Sequence, residues 1–482
     1  MSEQRHHRLF GRPMTRRALL KGSLATGLLG PSALLAACRQ STSGSSPTQT
    51  PASSGAAPSA PSTPAVIRQS GQLAVFVGKN TTNPQGQTQL FKAIEDAFHK
   101  KYPNVTIAWD TYASADEELT KIQTSAASGV GPDVFEFGST LVPTAFATGA
   151  FETFTPDMWQ AIGGQEQFFA PQLKMSGPSP DKYIAVPEYA NTFALLYNTA
   201  MFKQAGLSAP PKSWGEFVEF GKRLTDPSKN VWGTAMAYAD SYDPWHWVWL
   251  YTEQLGGSLV KSDGTGNFTS PEVVETVTFW LDLMAKHQIV SKASATYKAA
   301  DALHAFAAQQ AAMLVMVGPG LIPTLNQSAV AQSYAYAANP TIPFGRNALP
   351  PNGKPAQAFV AGQYLCIFKG TKNKELALEL IKTIISPEIQ YQIWKLYGNL
   401  PVVAAAFDQY AELKQEPWTT FRSAIENAYP TPFLGSWGQL EVAIGHAVSK
   451  IAAQIATTGS YTADDLQKAL EAANTEYNAS LK

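Results

Sequence analysis

Residues 183–217 read YIAVPEYANTFALLYNTAMFKQAGLSAPPKSWGEF, and no other stretch says as much about the architecture of this chain. It begins with two apolar runs of strand length, which are separated by PEYAN, a polar segment that disfavours helix. This pattern predicts that the chain crosses here from one lobe to another. The amphipathic segment that follows predicts a helix with Ser213 as its N-cap.

On the N-terminal side of this stretch, short apolar strands alternate with amphipathic helices. QLAVFVG at 72–78 is followed by TQLFKAIEDAFHKKYP and then by VTIAWDTY at 105–112. The hydrophobic period changes from 2 to 3.6 residues and back, as it does in β-α-β units. A further strand, DVFEF, ends in the polar loop GST at 138–140, and ligand sites of α/β sheets lie beyond such carboxyl ends.

On the C-terminal side, helices dominate as far as the apolar run AAMLVMVGPGL at 311–321. A long polar loop then leads to the strand AFVAGQYLCIFKG at 358–370. The last segment, YTADDLQKALEAANTEYNASLK, predicts a helix with Thr462 as its N-cap. No repeat of fixed period is visible, and the whole pattern predicts a mixed α/β protein.

Composition excludes several classes of protein. The 482 residues are 45% hydrophobic and 15% charged, which is typical of globular domains and allows two or more of them. The formal net charge is −1, and the first 37 residues carry six basic side chains against one acidic, so the remainder is acidic overall. This distribution does not favour a nucleic-acid partner.

The first 37 residues predict an export signal. TRRALLK at 15–21 is a twin-arginine region, and the apolar stretch at 24–37 is too short and glycine-rich for a comfortable membrane span. Small residues precede Cys38, as they do before the lipidated cysteine of bacterial lipoproteins. The alternative is an unmodified cysteine after a weak anchor helix. Leu19 stands where twin-arginine (Tat) signals usually have Phe, so Tat and Sec export both stay open.

Residues 38–70 are dominated by Ser, Thr, Pro, Ala and Gly, and they predict a disordered tether because they cannot bury a core. The chain has two cysteines, Cys38 and Cys366, and a lipidated Cys38 cannot pair. We therefore expect no structural disulfide. The expected location is extracytoplasmic, on the cell membrane through the lipid anchor.

In its order of motifs the chain resembles the family 1 extracellular solute-binding proteins of ABC importers. The resemblance covers nearly all of residues 71–482. It rests on PDVFEFG followed by ATGAFETFTP, on the stretch at 183–217, on FAAQQAAMLVMVGPG, and on AGQYLCIFKGTKNKELALELI followed by a GNLP turn. The stretch at 183–217 is the most specific of these motifs.

The resemblance implies the two-lobed α/β periplasmic-binding-protein fold of type II, with the ligand in a cleft between the lobes. By this matching, lobe 1 comprises residues 71–186 plus 360–425, and lobe 2 comprises 187–359 plus 426–482. Hinge closure around a small-molecule carbohydrate would present the complex to the transmembrane subunits of an ABC permease. The resemblance further implies a monomer that needs no cofactor or metal.

Three tryptophans alternate in DPWHWVWLY at 243–251. Alternation alone would make a strand with one tryptophan face, whereas a helix from Pro244 would place Trp245 and Trp249 on one side. The following LYTEQLGG, which ends in a Gly pair suited to a C-cap, favours the helix. The resemblance implies that Trp245 stacks on a sugar ring and that His246 hydrogen-bonds to it, with core packing and a surface histidine as the alternatives.

The resemblance implies other ligand contacts, each with packing or a solvated loop as its alternative. They are Lys79 and Asn80 after the first strand, Phe137, Ser139 and Thr140 around the end of DVFEF, Glu188 and Asn191 in PEYANTF, Gly362 and Gln363 in AGQYL, and Trp437 in TPFLGSW. Glycine at 362 would allow the backbone to approach the ligand closely, and the Gln363 amide can both donate and accept hydrogen bonds.

One motif departs from the family pattern. The family's GPW, whose Trp stacks on sugar, is GPG here at 318–320. This loss puts malto-oligosaccharide binding in doubt and leaves room for a bulkier ligand or for the extra tryptophans near residue 245.

The sequence contains no established catalytic motif of a hydrolase, metalloprotease or nucleotide-binding enzyme. SLVK at 258–261 matches the SxxK of penicillin-binding enzymes, but neither SDN nor KTG follows it. A glycosidase would need two carboxylates that face each other across a sugar, and the candidates are Glu136, Glu188, Asp240 and Asp243. A secreted carbohydrate-active enzyme and an adhesion lipoprotein are therefore kept as alternatives.

The expected ligand is an uncharged carbohydrate, either a sugar, an oligosaccharide or a polyol. A charged ligand would call for clustered opposite charges, which the predicted site loops lack apart from Lys79 and Glu188. A receptor for a non-sugar solute is the alternative within the transport class.

Overall fold

The computed structural model describes residues 70–81, 83–240 and 243–481. The predicted leader, the lipidation site Cys38 and the tether lie outside these residues, except for Ser70, which begins the first strand. The strands in this part of the chain are β1 (Ser70–Gly78), β2 (Asn104–Tyr112), β3 (Val134–Gly138), β4 (Ala185–Asn191), β5 (Ala194–Asn198), β6 (Trp232–Thr234), β7 (Ala311–Val317), β8 (Tyr334–Ala337) and β9 (Ala361–Ile367).

Five of these strands form a first sheet in the order β2-β1-β3-β9-β4. β1 pairs in parallel with both β2 and β3, so the carboxyl ends of these three strands lie at one edge. β9 runs antiparallel to its neighbours β3 and β4. The β-α-β pattern that the sequence predicts from residue 71 is therefore confirmed.

The other four strands form a second sheet in the order β6-β7-β5-β8. β5 is antiparallel to β7 and to β8, and β6 is parallel to β7. The presence of two sheets among helices confirms the predicted α/β class.

The chain crosses between the sheets within the stretch at 183–217. β4 pairs with β9 as far as Asn191, which lies opposite Ala361, and β5 begins at Ala194. Thr192 and Phe193 alone therefore join the two sheets here. β4 pairs with β9 on both sides of a register shift between Pro187 and Tyr189. The predicted lobe bounds, 71–186 plus 360–425 and 187–359 plus 426–482, stay a prediction.

The helices pack around the two sheets. They are α1 (Pro84–His99), α2 (Ala115–Ser128), α3 (Val142–Thr148), α4 (Pro156–Ala161), α5 (Ala170–Leu173), α6 (Thr199–Gln204), α7 (Trp214–Leu224), α8 (Asp243–Leu255), α9 (Pro271–Ala285), α10 (Ala299–Ala307), α11 (Ile322–Leu325), α12 (Lys374–Ile384), α13 (Pro387–Tyr397), α14 (Ala404–Gln409), α15 (Trp418–Glu426), α16 (Trp437–Thr458) and α17 (Ala463–Ser480). None of those in the described ranges is both long and apolar enough to cross a membrane.

Two predicted N-caps are confirmed. Ser213 Oγ accepts a hydrogen bond from the Glu216 N–H at the start of α7. Thr462 and Asp465 form a reciprocal capping box at the start of α17. These contacts satisfy N–H groups that the first helical turn leaves without a partner, which fixes where each helix begins.

The helical prediction for DPWHWVWLY is also confirmed, since this segment lies in α8. Trp245 and Trp249 share a face, because both rings contact Phe359, at centroid distances of 4.6 Å and 6.0 Å. Trp247 lies on another face, against Trp280 at 5.3 Å. Gly256 follows the helix with φ of +81°, in the left-handed region that glycine adopts most readily at helix ends.

The first sheet is buried on both faces. Leu73, Val75 and Val77 of β1 enter the core beneath α1, α12 and α13, whereas Phe76 enters the core on the opposite face. This alternation follows from the strand period of two residues. Cys366 of β9 is a free, buried thiol.

Candidate functional site

A cavity of about 310 Å³ lies at the carboxyl edge of the first sheet, and we call it the polar cavity. It contains four of the predicted site residues, Lys79, Asn80, Glu188 and Gln363. Its other lining residues are Val77, Gly78, Gln87, Leu90, Phe91, Ile94, Trp109, Tyr112, Ala113, Ser114, Glu136, Tyr189, Ile384, Tyr397 and Asn399.

Aromatic rings form one wall of the polar cavity. Phe91 of α1 and Trp109 of β2 stack with centroids 4.1 Å apart and planes 2° from parallel. The Trp109 indole N–H donates to Glu95 Oε1 at 2.8 Å, which fixes the orientation of the ring. Trp109 is half-buried, so part of this flat surface stays open to a ligand.

A glutamine of α1 positions the loop that follows β1. Gln87 Nε2 donates to the Gly78 carbonyl at 2.7 Å, and Gln87 Oε1 accepts from the Asn80 N–H at 3.1 Å. The Lys79 N–H donates to the Tyr112 carbonyl at 2.7 Å. These bonds hold Lys79 and Asn80 at the cavity, where the sequence placed them.

Two buried carboxyl groups lie side by side in the polar cavity. Glu136 and Glu188 are 6% and 5% exposed, and their side chains are within hydrogen-bonding contact of each other. Glu136 Oε1 accepts only a long bond, 3.4 Å, from the Gly78 N–H. Glu188 Oε2 and Gln363 Oε1 are buried without a hydrogen-bond partner. The cavity therefore presents acceptor atoms that no group in the described part of the chain satisfies.

Burial controls the protonation of these acids. It raises the pKa of Glu188 to about 8. Burial and then the charge of Glu188 raise the pKa of Glu136 well above its ordinary value. Behind them, burial raises the pKa of Glu118 to about 7, although Tyr112 Oη donates to its Oε1 at 3.1 Å. The cavity acids thus retain protons near neutral pH because water cannot solvate their charges.

We expect the unliganded protein to lose stability as the pH rises. The unfolded chain releases the proton of Glu188 above its ordinary pKa of about 4.5, while the folded protein keeps that proton up to about pH 8, so the folded state binds more protons in this window. The raised pKa of Glu136 acts in the same direction. The free energy of unfolding should fall across that window by a few kcal/mol, on the order of 1.4 kcal/mol per unit of pKa shift.

Thermal melts between about pH 5 and 8 test this dependence, with Glu188→Gln as the comparison because it has no proton to lose. The variant should show a shallower fall; a fall equal to that of the wild type would contradict the assignment. The titratable groups that face the pair are Glu118, Tyr112, Tyr189, Tyr397 and Lys79.

A second cavity, of about 230 Å³, lies on the second sheet, and we call it the apolar cavity. It is lined by Phe193, Ala235, Met236, Ala237, Asp243, Trp247, Ala299, Ala302, Leu303, Leu314, Val315, Met316, Val317, Gly318, Gly320 and Leu321. It thus includes both glycines of the GPG departure, and nothing lies within 4 Å of a Cβ built on Gly320. The missing Trp therefore leaves open space. Burial raises the pKa of Asp243, the acid in the lining, to about 7.

The two cavities flank a close approach between glycines. A Cβ built on Gly398 would lie 4.0 Å from the Cα of Gly320. Gly320 lines the apolar cavity, while Tyr397 and Asn399 line the polar cavity on either side of Gly398. The first-sheet and second-sheet parts of the molecule therefore face each other at this point.

Two predicted stacking tryptophans lie in the core. Trp245 and Trp437 are 2% and 1% exposed, their centroids are 5.6 Å apart, and neither lines the polar or the apolar cavity. This placement corresponds to the packing alternative. His246 is half-buried and contacts Phe193 and Phe359, and burial lowers its pKa to about 3, so the ring is neutral.

Phe137 also occupies the position of its packing alternative. It has no exposed surface and packs against Phe135 and Phe151 in the core of the first sheet. Ser139 is buried, and Thr140 and Asn191 are partly exposed; none of these three lines either cavity. Their ligand contacts stay predictions, as do those of Trp245, His246 and Trp437.

Glycine is required at 362 for a reason that the sequence did not reveal. Gly362 has φ of +147°, and a Cβ there would lie 2.1 Å from the Tyr189 carbonyl oxygen. The group that approaches this glycine in the structure is the backbone of β4, at the register shift. The predicted contact of Gly362 with a ligand stays a prediction.

The sequence reasoning missed several residues of the polar cavity, and it named Glu136 only as a candidate acid of a glycosidase. The missed residues are Trp109, Tyr112, Tyr189, Tyr397 and Asn399. A signal existed for Glu136, because an acid in the middle of the apolar strand DVFEF must be buried, and buried acids are costly unless they serve a purpose. Asn399 lies in the GNLP turn that carried part of the resemblance. Nothing in the pattern of VTIAWDTY distinguished Trp109 from a packing residue.

Two sheets, each packed with helices, are joined by a two-residue crossing, and a cavity lies on either side of the place where their parts meet. This arrangement is that of a two-lobed binding protein of the periplasmic type. The sequence model of the bacterial extracellular solute-binding proteins matches residues 80–391, and the chain belongs to this family.

Relatives agree with this membership, and a solved structure has the same fold. The chain is 24% identical to the maltotriose-binding protein of Pyrococcus abyssi over 375 residues, which are 74% of each chain. It is 26% identical to the diacetylchitobiose binding protein DasA of Streptomyces coelicolor over 287 residues, 58% of this chain and 63% of DasA. The structure of the sugar-binding protein MalE from Xanthomonas citri superposes with a TM-score of 0.71 at 17% identity, covering 85% of this chain and 98% of that one.

Proposed function

We propose that this protein is the extracytoplasmic receptor of an ABC importer, which captures a carbohydrate by hinge closure and delivers it to the membrane permease. The ligand would lie in the polar cavity and extend towards the apolar cavity, so that both halves of the molecule contact it only when they close.

The observation that carries this proposal is the combination of groups in the polar cavity. The stacked pair Phe91 and Trp109 offers a flat apolar surface beside Lys79, Asn80 and the unsatisfied acceptor of Gln363. Sugars need such a combination, because their C–H faces are apolar while their hydroxyl edges both donate and accept hydrogen bonds.

The names of relatives support the ligand class. The relatives in Pyrococcus abyssi and Streptomyces coelicolor bind maltotriose and diacetylchitobiose, according to their names. Because the GPG loop leaves an open apolar cavity, we do not assign either sugar to this chain and propose the class alone.

The geometry of the acids argues against the glycosidase alternative. Carboxyl groups of retaining glycosidases stand about 5 Å apart, and those of inverting ones further, with the sugar between them. Glu136 and Glu188 instead contact each other directly. This side-by-side placement supports joint binding of a solute rather than attack on it from opposite sides.

Attachment to the membrane through Cys38 is a proposal from the sequence, supported by the family's extracellular location. Metabolic labelling with a radioactive fatty acid tests it, with Cys38→Ala as the control.

Thermal melts of residues 69–482 against mono- and oligosaccharides, polyols, amino acids and polyamines test the proposed function. A ligand at a hundred times its dissociation constant adds about 2.7 kcal/mol to the free energy of unfolding, which raises the melting temperature by a few degrees. Recovery of the carbohydrate intact supports a receptor, and its breakdown would revive the enzyme. A shift with non-carbohydrate solutes alone would overturn the carbohydrate class.

Trp109→Ala should weaken binding of the carbohydrate found in this panel roughly tenfold to a hundredfold, because the cavity loses half of its stacked surface. Titration calorimetry measures the affinity. Trp232→Ala is the matched control, since Trp232 is also a half-buried strand tryptophan but lines neither the polar nor the apolar cavity. Equal affinities of the two variants would place the ligand elsewhere.

A further inference from the structure

We propose that the carbohydrate carries an amino group, and that its ammonium binds between the side chains of Glu136 and Glu188. This inference rests on the proposed function and deepens it to a substrate class, the amino sugars. It differs from the sequence-based expectation of an uncharged ligand, because the structure brings Glu136 and Glu188 together in one cavity.

The first support is the charge of the polar cavity. Glu136 and Glu188 line it, and the buried Glu118 lies next to them. Lys79 is the sole basic residue in the lining, and its side chain is exposed. None of the ion pairs found within the described ranges involves any of these three glutamates. A buried carboxyl group ionises readily only beside a positive partner, and the described residues supply no such partner to these acids.

The second support is the set of hydrogen-bonding atoms that remain free. Glu188 is only 5% exposed, yet its Oε2 accepts no hydrogen bond from the described residues. Gln363 Oε1 likewise has no hydrogen-bond donor among them. Both atoms belong to residues that line the cavity, and a carboxylate or amide oxygen accepts. An ammonium group brings three N–H donors together with a positive charge, so it satisfies both requirements at once.

A neutral hydroxyl would satisfy less of the site. It donates one hydrogen bond and leaves the acids to keep their protons, whereas an ammonium replaces the proton that the pair otherwise holds. A metal ion is a weaker fit, because the described residues include no group of three His, Cys, Asp or Glu side chains arranged to hold one.

Proton exchange supports the same assignment. Burial raises the pKa of Glu188 to about 8, so near neutrality the empty pair is at least partly protonated. A bound ammonium would lower that pKa, since an opposite charge favours the carboxylate. Binding of an amino sugar should therefore release protons, and its affinity should fall as the pH is lowered.

Matched pairs of sugars test the proposal: glucosamine against glucose, galactosamine against galactose, mannosamine against mannose, and chitobiose against cellobiose. Spermidine is included as an amine without a sugar. Titration calorimetry at about pH 6.5, where a sugar amine is protonated, is carried out in two buffers of different protonation enthalpy, which reports protons released. We expect the amino member of at least one pair to bind roughly tenfold to a hundredfold tighter than its hydroxyl partner, with net proton release.

Two variants localise the effect. Glu188→Gln and Glu136→Gln should each reduce the ratio of amino-sugar to hydroxyl-sugar affinity at least tenfold. Glu441→Gln is the matched control, because Glu441 is an equally buried acid with a raised pKa that lies on α16, outside both cavities. It should preserve the ratio.

The outcomes separate the two proposals. If sugars bind but no amino sugar binds more tightly than its hydroxyl partner, the ammonium site is refuted while the carbohydrate receptor stands. If spermidine binds and no sugar does, both the carbohydrate function and the amino-sugar class are refuted. If no amine in the panel binds, the inference is overturned.

Discussion

Gly362→Ala should lower the free energy of unfolding by about 4 kcal/mol, the combined scale of a forced backbone conformation and of a steric clash in a packed region. A methyl group at 362 would overlap the Tyr189 carbonyl, 2.1 Å away, and lie 3.1 Å from the Ala190 Cα. Both neighbours are backbone atoms of β4, so no side chain can rotate to make room. The φ of +147° adds strain for any residue that has a Cβ.

The same substitution should also disturb the polar cavity. Gly362 accepts a hydrogen bond from the Ser139 N–H at 3.0 Å, and Gln363 follows it in the chain. Urea denaturation measures the loss, and Gly71→Ala is the matched control, since nothing lies within 4 Å of a Cβ there and its stability should change by no more than about 0.5 kcal/mol. Equal stabilities of the two variants would refute this account of the register shift.

Trp245→Ala should lower the free energy of unfolding by about 3 to 5 kcal/mol, the range measured for large aromatic side chains removed from cores. The ring is 2% exposed and contacts Phe359 and Trp437 at 4.6 Å and 5.6 Å. Truncation would leave a cavity that these aromatic neighbours cannot fill without leaving their own contacts.

Substitution of the half-buried Trp109 should have the opposite balance of effects on binding and stability. Trp109→Ala should lose binding with a smaller loss of stability, whereas Trp245→Ala should lose stability. Thermal melts with and without a carbohydrate ligand measure both quantities for each variant. If Trp245→Ala keeps its stability and the ligand no longer raises its melting temperature, the ring is a ligand contact, as the resemblance implies. The prediction that Trp245 stabilises the core would then be wrong.

The fold could be predicted from the sequence because its signals are local. Ser213 and Thr462 stand where a capping oxygen is needed, and the change of hydrophobic period marks each β-α unit. The end of β4 could not be predicted in this way, because it depends on β9, about 170 residues later in the chain. A strand's last pair is decided by its partner's register, which its own residues do not encode.

The candidate site was predicted in part for a related reason. Lys79, Asn80, Glu188 and Gln363 are polar residues at strand ends or in loops, where topology brings them to one edge. Phe137, Trp245 and Trp437 were assigned by matching motifs, but an aromatic ring serves a core and a sugar equally well. The direction in which each ring points depends on tertiary packing. The exposure of Trp109 depends on it in the same way.

The residues that line the polar cavity all come from the first-sheet part of the molecule, and this affects the kinetics of binding. Every lining residue belongs to β1, β2, β3, β4 or β9, to α1, α12 or α13, or to the short segments that adjoin them. A solute that enters the cavity can therefore be held before the second-sheet part of the molecule moves. Its association rate would then be set by diffusion into a half-site that is already formed, and its residence time by how often the closed protein reopens.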